Sequence, residues 1–194
     1  MVEISNVKVY DLEESINACR NSMRIVPDLD DFEGDLKRAK RLCNNPVNSG
    51  EINFLKGIRV SFDIKYPGYF SPELQRYHFI DIISSSSKMH KLSVLGANSE
   101  SFNKYTDPRS IQVLQELIDK YNANKNYDNF MRMLSSCPQG IELFMRVSTN
   151  YACLRNIWIQ RRNHRLKEDW GAFCDFIEKL PYFHEFIEHQ NHTV

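Results

Sequence analysis

The chain has 194 residues, of which 42% are hydrophobic and 26% charged. A chain of this length buries roughly 70% of the surface that it exposes when unfolded, so it can form its own core, and its composition excludes intrinsic disorder, a collagen-like repeat and a small disulfide scaffold. Lys plus Arg and Asp plus Glu both total 25, so no overall charge favours nucleic acid or a membrane surface.

The cysteines and the N-terminal residues predict a cytoplasmic protein without a membrane span. The five cysteines are scattered and odd in number, and they form no Cys-x-x-Cys pair and no Cys/His pair at the spacing of metal ligands, which is typical of reduced thiols. Residues 1–15 contain neither a basic nor an apolar segment, and no window approaches eighteen apolar residues. We therefore expect neither a signal peptide nor a transmembrane helix.

The first third of the chain predicts one strand and two helices. We expect a strand at residues 7–10, a helix from residue 11 or 12 to residue 24, and a second helix near residues 30–43. Asp11 is a candidate N-cap because two glutamates follow it in the first turn. The sequence Asn-Asn-Pro at residues 44–46 is expected to end the second helix.

The clearest strand follows. Apolar and polar residues alternate here, with Ile58, Val60, Phe62 and Ile64 at the apolar positions. This period of two indicates a strand with one apolar face and one polar face. This pattern is typical of an antiparallel sheet with one face toward solvent or a ligand.

The remaining elements are predicted to be mainly helical. Ser-Pro-Glu at residues 71–73 is typical of a helix start, so we expect a helix over residues 74–80 that ends at the serines of residues 84–87. Further helices are expected near residues 110–122, 126–134, 141–162, 168–180 and 182–189. We therefore expect an α+β fold, an antiparallel sheet packed with a predominantly helical half, in a single domain over residues 1–194.

Charge is distributed unevenly in the helical half. Residues 146–167 include six basic residues and no acidic one, whereas residues 168–194 include six acidic residues and one lysine. The basic run suits the lining of a nucleotide pocket. Nucleic-acid binding is an alternative, because Tyr151 and Trp158 could stack on bases, but we do not expect it since both lie on a predicted core helix.

Several common chemistries are not predicted. Glycine-rich phosphate loops and a G-x-S-x-G nucleophile turn do not occur. His184, His189 and His192 lie among acidic residues near the end of the chain, which favours a solvated face over a metal site. We therefore expect no metal.

The most informative segment is residues 75–89. Arg76 and His78 precede a hydroxyl-rich stretch that ends in Ser86-Ser87-Lys88, so several hydrogen-bond donors occur close together. Such donors suit a phosphate or the polar edges of a flavin.

This segment resembles the signature of the flavin-dependent thymidylate synthases, Arg-His-Arg-x-x-Ser-x-Asn-x-x-Ser-x-Arg-Tyr. Arg76 takes the first position, Tyr77 and His78 take the next two, and Ser86 and Lys88 fill the Ser-x-Arg end.

Three further blocks occur at matching spacing. Residues 60–64 lie where the family has Phe-Thr-Phe-x-Ile, and Cys137-Pro138 lies where it has Leu-Pro. Asn150 begins a segment that resembles the family's Asn-x-Arg-x-Leu-x-His-Phe helix, and Arg161 stands where an arginine follows. An ideal helix would place Asn150 and Arg161 on one face, about three turns apart.

The resemblance implies a fold, a cofactor and partners. In the family, FAD in a homotetramer carries reducing equivalents from NADPH, and methylene tetrahydrofolate supplies the carbon that converts dUMP to dTMP. The resemblance thus implies a homo-oligomer that binds FAD, a dUMP-like nucleotide and NADPH. It implies two groups of site residues, with Arg76, His78 and Asn150 toward the flavin and Ser86, Lys88 and Arg161 toward the nucleotide.

The chain also departs from the family pattern. Asn53 and Lys56 are among the residues that replace the family's His-x-Ser-x-x-Glu-His element, and Ala152 and Asn156 replace its helical Arg and His. The arginine that holds the nucleotide base is missing from its register. These departures leave two hypotheses, a divergent flavin- or nucleotide-binding protein with a degenerate catalytic motif, and a catalytically inactive copy that acts through protein partners.

Overall fold

The computed structural model describes residues 1–26, 31–45 and 49–188, without the side chains of Leu95 and Ser99. Four strands are present in these ranges: β1 (Glu3–Tyr10), β2 (Arg59–Pro67), β3 (Asp81–Ser85) and β4 (Glu142–Asn150). The α-helices of the same ranges are α1 (Leu12–Ala18), α2 (Phe32–Leu42), α3 (Phe54–Gly57), α4 (Ser71–Leu74), α5 (Lys88–Leu95), α6 (Pro108–Ala123), α7 (Tyr127–Ser135), α8 (Tyr151–Arg161) and α9 (Lys167–Glu178). The predicted α+β fold is confirmed.

The strands form one antiparallel sheet in the order β1-β2-β4-β3. The two central strands pair in continuous register, with Val60 opposite Thr149 and Phe62 opposite Val147. The predicted alternation of β2 is confirmed, because Val60, Phe62 and Ile64 are fully buried while the residues between them are partly exposed.

The buried face of the sheet packs on α9. The ring of Phe62 lies 5.9 Å from that of Phe173 and 4.8 Å from that of Phe176. Trp170, at the start of the same helix, is fully buried with its ring 4.6 Å from that of Phe70. These aromatic contacts pack one face of the sheet against α9. The other face of the sheet is not covered by this helix.

The prediction of one helix over residues 141–162 is wrong in its first half, which is β4. Leu143, Met145 and Val147 are buried on the core side of this strand, whereas Phe144 is half exposed. An apolar segment of this length fits both a strand and a buried helix, and pairing with β2 decides between them here. The helix begins only after Asn150.

The prediction of a helix over residues 74–80 is also wrong. The helix α4 is a single turn, and the serines expected to end it belong in part to β3. The hydroxyl of Thr149 donates a hydrogen bond to the carbonyl oxygen of Phe79 at 2.8 Å, so the chain is held against β4 before it enters β3. Tertiary contacts override the local helix signal.

The N-terminal helices differ from expectation in their ends. The helix α1 stops at Ala18, and a 3₁₀ turn at Asn21–Met23 follows it. Asp11 stands at the N-cap position, but its side chain accepts no capping hydrogen bond and its φ is 56°. In α2, Asp31 caps the helix by accepting from the N–H of Gly34 at 3.0 Å. The predicted first residue, Asp30, and the predicted terminator, Pro46, lie outside the described residues.

The predicted helices near residues 110–122, 126–134 and 168–180 are confirmed as α6, α7 and α9. The last predicted helix is represented by a π-helical turn at His184–Glu188, and His189 and His192 lie outside the described residues. All five cysteines are free thiols. None of the helices in the described part of the chain is both long and apolar enough to cross a membrane.

Candidate functional site

A cleft of about 350 Å³ opens where three segments of the chain meet. The segments lie around α3, directly after α4 and at the start of α8. The polar residues that line the cleft are Ser49, Asn53, Lys56, Arg76, Tyr77, His78, Asn150, Cys153, Arg155 and Asn156. The volume is near the lower end of the range of about 300–1,000 Å³ that is typical of small-molecule sites.

The segment after α4 is held in place by Tyr77. Its ring is buried, and its hydroxyl donates to Oε1 of Gln160 at 3.0 Å and accepts from Nε of Arg161 at 2.8 Å. Burial raises the pKa of Tyr77, so the hydroxyl stays protonated at neutral pH. Arg76 and His78 flank this anchor, and both are exposed at the cleft. The structure therefore brings these two predicted flavin residues together.

Asn150 also lines the cleft. It ends β4 and caps α8, with its Oδ1 accepting from the N–H of Cys153 at 3.0 Å. The N–H of Tyr151 donates to the carbonyl oxygen of Ile58 at 3.1 Å, which fixes the start of α8 against β2. The third predicted flavin residue thus lines the same cleft as Arg76 and His78.

Arg155 is a further cleft residue, and it is fully buried. Its Nη2 donates to the carbonyl oxygen of Cys43 at 2.7 Å, whereas Nε and Nη1 have no hydrogen-bond partner within the described ranges. Burial lowers the pKa of Arg155 from its usual value. The hydroxyl of Ser49, on the wall of the same cleft, is likewise buried with no partner among the described residues.

The cleft is positively charged. Lys56, Arg76 and Arg155 contribute to its lining together with His78, and no acidic side chain is among the described residues that line it. Across residues 1–26, 31–45 and 49–188, none of these three cations has an ion-pair partner. The N-terminus of α8 adds the positive end of a helix dipole. Such a lining favours an anionic ligand.

Ser86 and Lys88 lie away from the cleft. The N–H of Ser86 donates to the carbonyl oxygen of Phe144 at 2.8 Å, and its hydroxyl oxygen accepts from the N–H of Phe144 at 3.1 Å. Lys88 is the first residue of α5. Burial of Cys137 raises the pKa of its thiol, and the positive charge of Lys88 acts in the opposite direction. The structure thus separates these two predicted nucleotide residues from the predicted flavin residues of the same chain.

Arg161, the third predicted nucleotide residue, lies at the end of α8 behind Tyr77. Its Nη1 donates to Oε2 of Glu73 at 3.2 Å, and its guanidinium group lies 4.6 Å from the ring centre of Trp170. It is not part of the cleft wall. Asn150 lines the cleft as the N-cap of α8, whereas Arg161, at the other end of the helix, does not.

Sequence reasoning missed some of the cleft residues. Asn53 and Lys56 were predicted only to be departures from a family pattern, although both line the cleft. Arg155 was counted in the basic run without a role. A signal was present, since the residues about one helical turn before and after Arg155 are apolar, namely Tyr151, Ala152, Trp158 and Ile159.

A second, larger depression of about 510 Å³ lies near the N-terminus and the start of α9. Its lining contains charges of both signs, including Glu3, Glu142, Lys104, Arg165 and Glu168. None of the predicted site residues is among the described residues that line it. Mixed charge of this kind does not favour one class of ligand.

The fold is similar to that of solved flavin-dependent thymidylate synthases. Two structures of this enzyme from Helicobacter pylori, both complexed with FAD and dUMP, are each 19% identical to the chain, with TM-scores of 0.67 and 0.68. They cover 96% and 98% of this chain and 97% and 99% of their own chains. A UMP/dUMP methylase, PolB, from Streptomyces cacaoi, bound with 5-Br dUMP, is 15% identical over 92% of this chain and 86% of its own, with a TM-score of 0.60.

The sequence itself matches no family model, and no curated protein matches it significantly. At sequence identities of 15–19%, the similarity to these structures establishes a shared fold and nothing beyond it. The chain therefore has the fold of the flavin-dependent thymidylate synthases, and the resemblance noted in its sequence is confirmed at that level.

Proposed function

We propose that this chain binds FAD, a dUMP-like nucleotide or both in the cleft lined by Arg76, His78 and Asn150. The observation that carries the proposal is the convergence of these three residues, drawn from distant parts of the sequence, on one positively charged cleft. The fold adds support, since the Helicobacter pylori proteins that share it are complexed with FAD and dUMP.

The donors of the cleft fit such ligands. FAD and dUMP carry phosphate oxygens that only accept hydrogen bonds, and Lys56, Arg76 and Arg155 present cationic donors without carboxylate partners among the described residues. Asn150 provides an amide at the N-terminus of α8, where helix dipoles favour anions. A bound flavin would supply hydride-transfer chemistry, while the protein supplies binding, orientation and electrostatics.

The departures from the family pattern cluster at this cleft. Lys56, Ala152 and Asn156 all line it, at positions where the resembled motifs have Glu, Arg and His. Lysine at position 56 reverses the charge of the expected acid. We therefore expect ligand binding without the complete thymidylate synthase reaction, and NADPH oxidation stays a prediction of the resemblance alone.

We further propose that a homo-oligomer completes the site. Ser86 and Lys88 are separated from the cleft of their own chain, so a second copy would have to bring them to a shared ligand. Ile83 and Phe144, on the two strands that lead into this region, are 63% and 50% exposed, which suits a protein contact.

The proposal is tested by ligand binding to the purified protein. We expect the visible flavin band to remain after incubation with FAD and removal of the excess, and calorimetry to detect dUMP binding. Arg76→Ala should weaken the binding of at least one ligand by roughly tenfold or more, as expected for a charge-assisted hydrogen bond. Arg109→Ala is the matched control, because the Arg109 side chain is 89% exposed and pairs with Asp107 outside the cleft.

A wild-type protein that remains colourless and binds neither FAD nor dUMP would contradict the proposal. The catalytically inactive alternative, which acts through protein partners, would then account better for the chain. Measuring the oligomeric state by light scattering tests the second part, and a strict monomer in the presence of both ligands would refute it.

A further inference from the structure

Arg155 is an anomaly in the packing of this chain. It is fully buried in α8, yet the described residues offer it only one hydrogen-bond acceptor, the carbonyl oxygen of Cys43 at 2.7 Å. A buried guanidinium group is normally paired with a carboxylate and has its N–H groups satisfied, because removal of a charge from water is unfavourable. In the described ranges, Nε and Nη1 of Arg155 have no partner.

A second orphan group lines the same cleft. The hydroxyl of Ser49 is buried and has no hydrogen-bond partner within the described part of the chain, and Ser49 and Arg155 both belong to the cleft wall. Two donor groups without partners at one cleft point to an acceptor that the described residues do not supply. Native structures contain few buried polar groups without partners, and ligands are one way in which they are satisfied.

We propose that Arg155 and Ser49 form a phosphate-binding subsite at the buried side of the cleft. A phosphate oxygen would accept from Nε or Nη1 of Arg155 and from the hydroxyl of Ser49, while Nη2 remains on the carbonyl oxygen of Cys43. Because Arg155 is fully buried, contact requires a side-chain rearrangement at the cleft wall. The ligand is a phosphate ester, such as a nucleotide or the pyrophosphate group of a dinucleotide.

This subsite is a property of this chain rather than of the family pattern. Position 155 falls between the signature residues of the Asn-x-Arg-x-Leu-x-His-Phe segment, so the resemblance assigns it no role. The proposal rests on the proposed function for the identity of the ligand, whereas the buried donors without partners among the described residues favour an anionic acceptor whichever phosphate ester is bound.

The test compares wild type with Arg155→Met, and with Arg162→Met as the matched control. Arg162 is the next residue after α8, and its exposed guanidinium group lies on Trp158. Inorganic pyrophosphate is titrated at constant ionic strength while the melting temperature and the dissociation constant are measured. We expect Arg155→Met to weaken pyrophosphate binding at least tenfold and Arg162→Met to change it less than twofold.

The melting temperature without ligand distinguishes a binding role from a structural one. An arginine kept for binding is an uncompensated buried charge in the free protein, so Arg155→Met should leave the melting temperature unchanged or raise it. A lower melting temperature together with unchanged pyrophosphate affinity would overturn the proposal.

A spectroscopic measurement on wild type covers the case in which Arg155→Met fails to fold. The Nε–H resonance of Arg155, assigned by its disappearance in Arg155→Lys, should shift in a saturable manner as pyrophosphate is added. A resonance that does not move at saturating pyrophosphate would refute the subsite. Pyrophosphate binding without FAD or dUMP binding would contradict the proposed function alone, whereas FAD and dUMP affinities unchanged by Arg155→Met would contradict the subsite alone.

Discussion

The side-chain oxygen of Asn150 accepts a hydrogen bond from the backbone N–H of Cys153 at 3.0 Å, and this contact starts α8 at the wall of the cleft. The same residue ends the central strand β4. One side chain therefore joins the sheet, the helix and the cleft, so that the positive end of α8 meets the cleft at a fixed position.

The first prediction concerns this cap. Asn150→Ala should lower the free energy of unfolding by about 0.5–2 kcal/mol, which is the usual effect of a lost N-cap, and should also weaken FAD or dUMP binding. Asn126→Ala is the matched control, since Asn126 caps α7 by accepting from the N–H of Asn129 at 2.8 Å away from the cleft. Chemical denaturation and calorimetry check both effects.

Asn126→Ala should reduce stability by a similar amount and leave ligand binding unchanged. Asn150→Asp keeps an acceptor for the cap but adds a negative charge to the cleft, so it should retain stability and lose binding. Equal loss of ligand affinity in the Asn126 and Asn150 variants would show that binding follows overall stability rather than the cleft.

A second prediction concerns Arg161 and Glu73. The carboxylate of Glu73 accepts from Arg161 at 3.2 Å and from Nε1 of Trp170 at 2.8 Å. Arg161→Leu removes a half-buried ion pair and a cation–π contact, so the free energy of unfolding should fall by about 1–3 kcal/mol. Arg162→Ala removes only an exposed cation–π contact with Trp158, so it should change the free energy of unfolding by no more than about 1 kcal/mol.

The role of Arg161 in nucleotide binding remains a prediction of the resemblance, and the same variant tests it. A change in dUMP affinity larger than that caused by an equally destabilising substitution would support a direct contact. An Arg161→Leu protein with wild-type stability would contradict the structural role described above.

The sheet was predictable only in part, and the reason is visible in two strands. In β2 the buried residues Val60, Phe62 and Ile64 are each followed by a charged or hydroxyl residue, so the period of two was clear. In β4 one of the exposed positions is the apolar Phe144, so buried apolar and exposed polar residues do not alternate cleanly. The strand also continues without a break into α8. No turn residue separates Asn150 from Tyr151, so the sequence pattern merged two elements into one helix.

The site was predictable where the residues are local in sequence. Arg76 and His78 are adjacent to one anchor, Tyr77, and their meeting with Asn150 depends on the pairing of β2 with β4. The separation of Lys88 from this group could not be predicted, since it depends on residues 81–85 forming an edge strand. The lack of partners for Nε and Nη1 of Arg155 among the described residues could not be predicted, because a buried arginine is ordinarily paired.

A third prediction concerns a buried carboxylate between α1 and α2. Asp35 is fully buried and accepts from Arg24 at 2.6 Å, Arg20 at 3.0 Å and Asn17 at 2.8 Å. Asp35→Ala leaves these donors without their acceptor, so the free energy of unfolding should fall by about 3–5 kcal/mol. Arg109→Ala breaks an exposed ion pair instead and should change stability by less than about 1 kcal/mol. A small effect in Asp35→Ala, measured by denaturant titration, would mean that the network contributes little.

A fourth prediction concerns acid stability. Hydrogen bonds from Asn6 and Arg146, each at 3.0 Å, hold the pKa of Asp63 below its usual range. A carboxyl group with a lowered pKa in the folded state stabilises the fold above its unfolded pKa of about 4, and this contribution is lost as the pH falls through the folded pKa. Asp63→Asn should therefore lose less stability than wild type between about pH 5 and pH 2. Asn6→Ala should raise the pKa of Asp63, as read by NMR titration, and an unchanged value would contradict the assignment.

The last prediction concerns the thiol of Cys43, whose carbonyl oxygen holds Arg155. Burial raises the pKa of Cys43 to about 12, against the opposing charge of Arg155, so roughly one thiol in ten thousand is ionised at pH 8. We expect Cys43 to be alkylated by iodoacetamide far more slowly than the half-buried Cys19, and peptide mapping by mass spectrometry after timed labelling measures both rates. In denaturant the two rates should become similar. Labelling of native Cys43 as fast as Cys19 would mean that the contact between α2 and α8 opens readily, and pyrophosphate should then slow it if the phosphate subsite at Arg155 is correct.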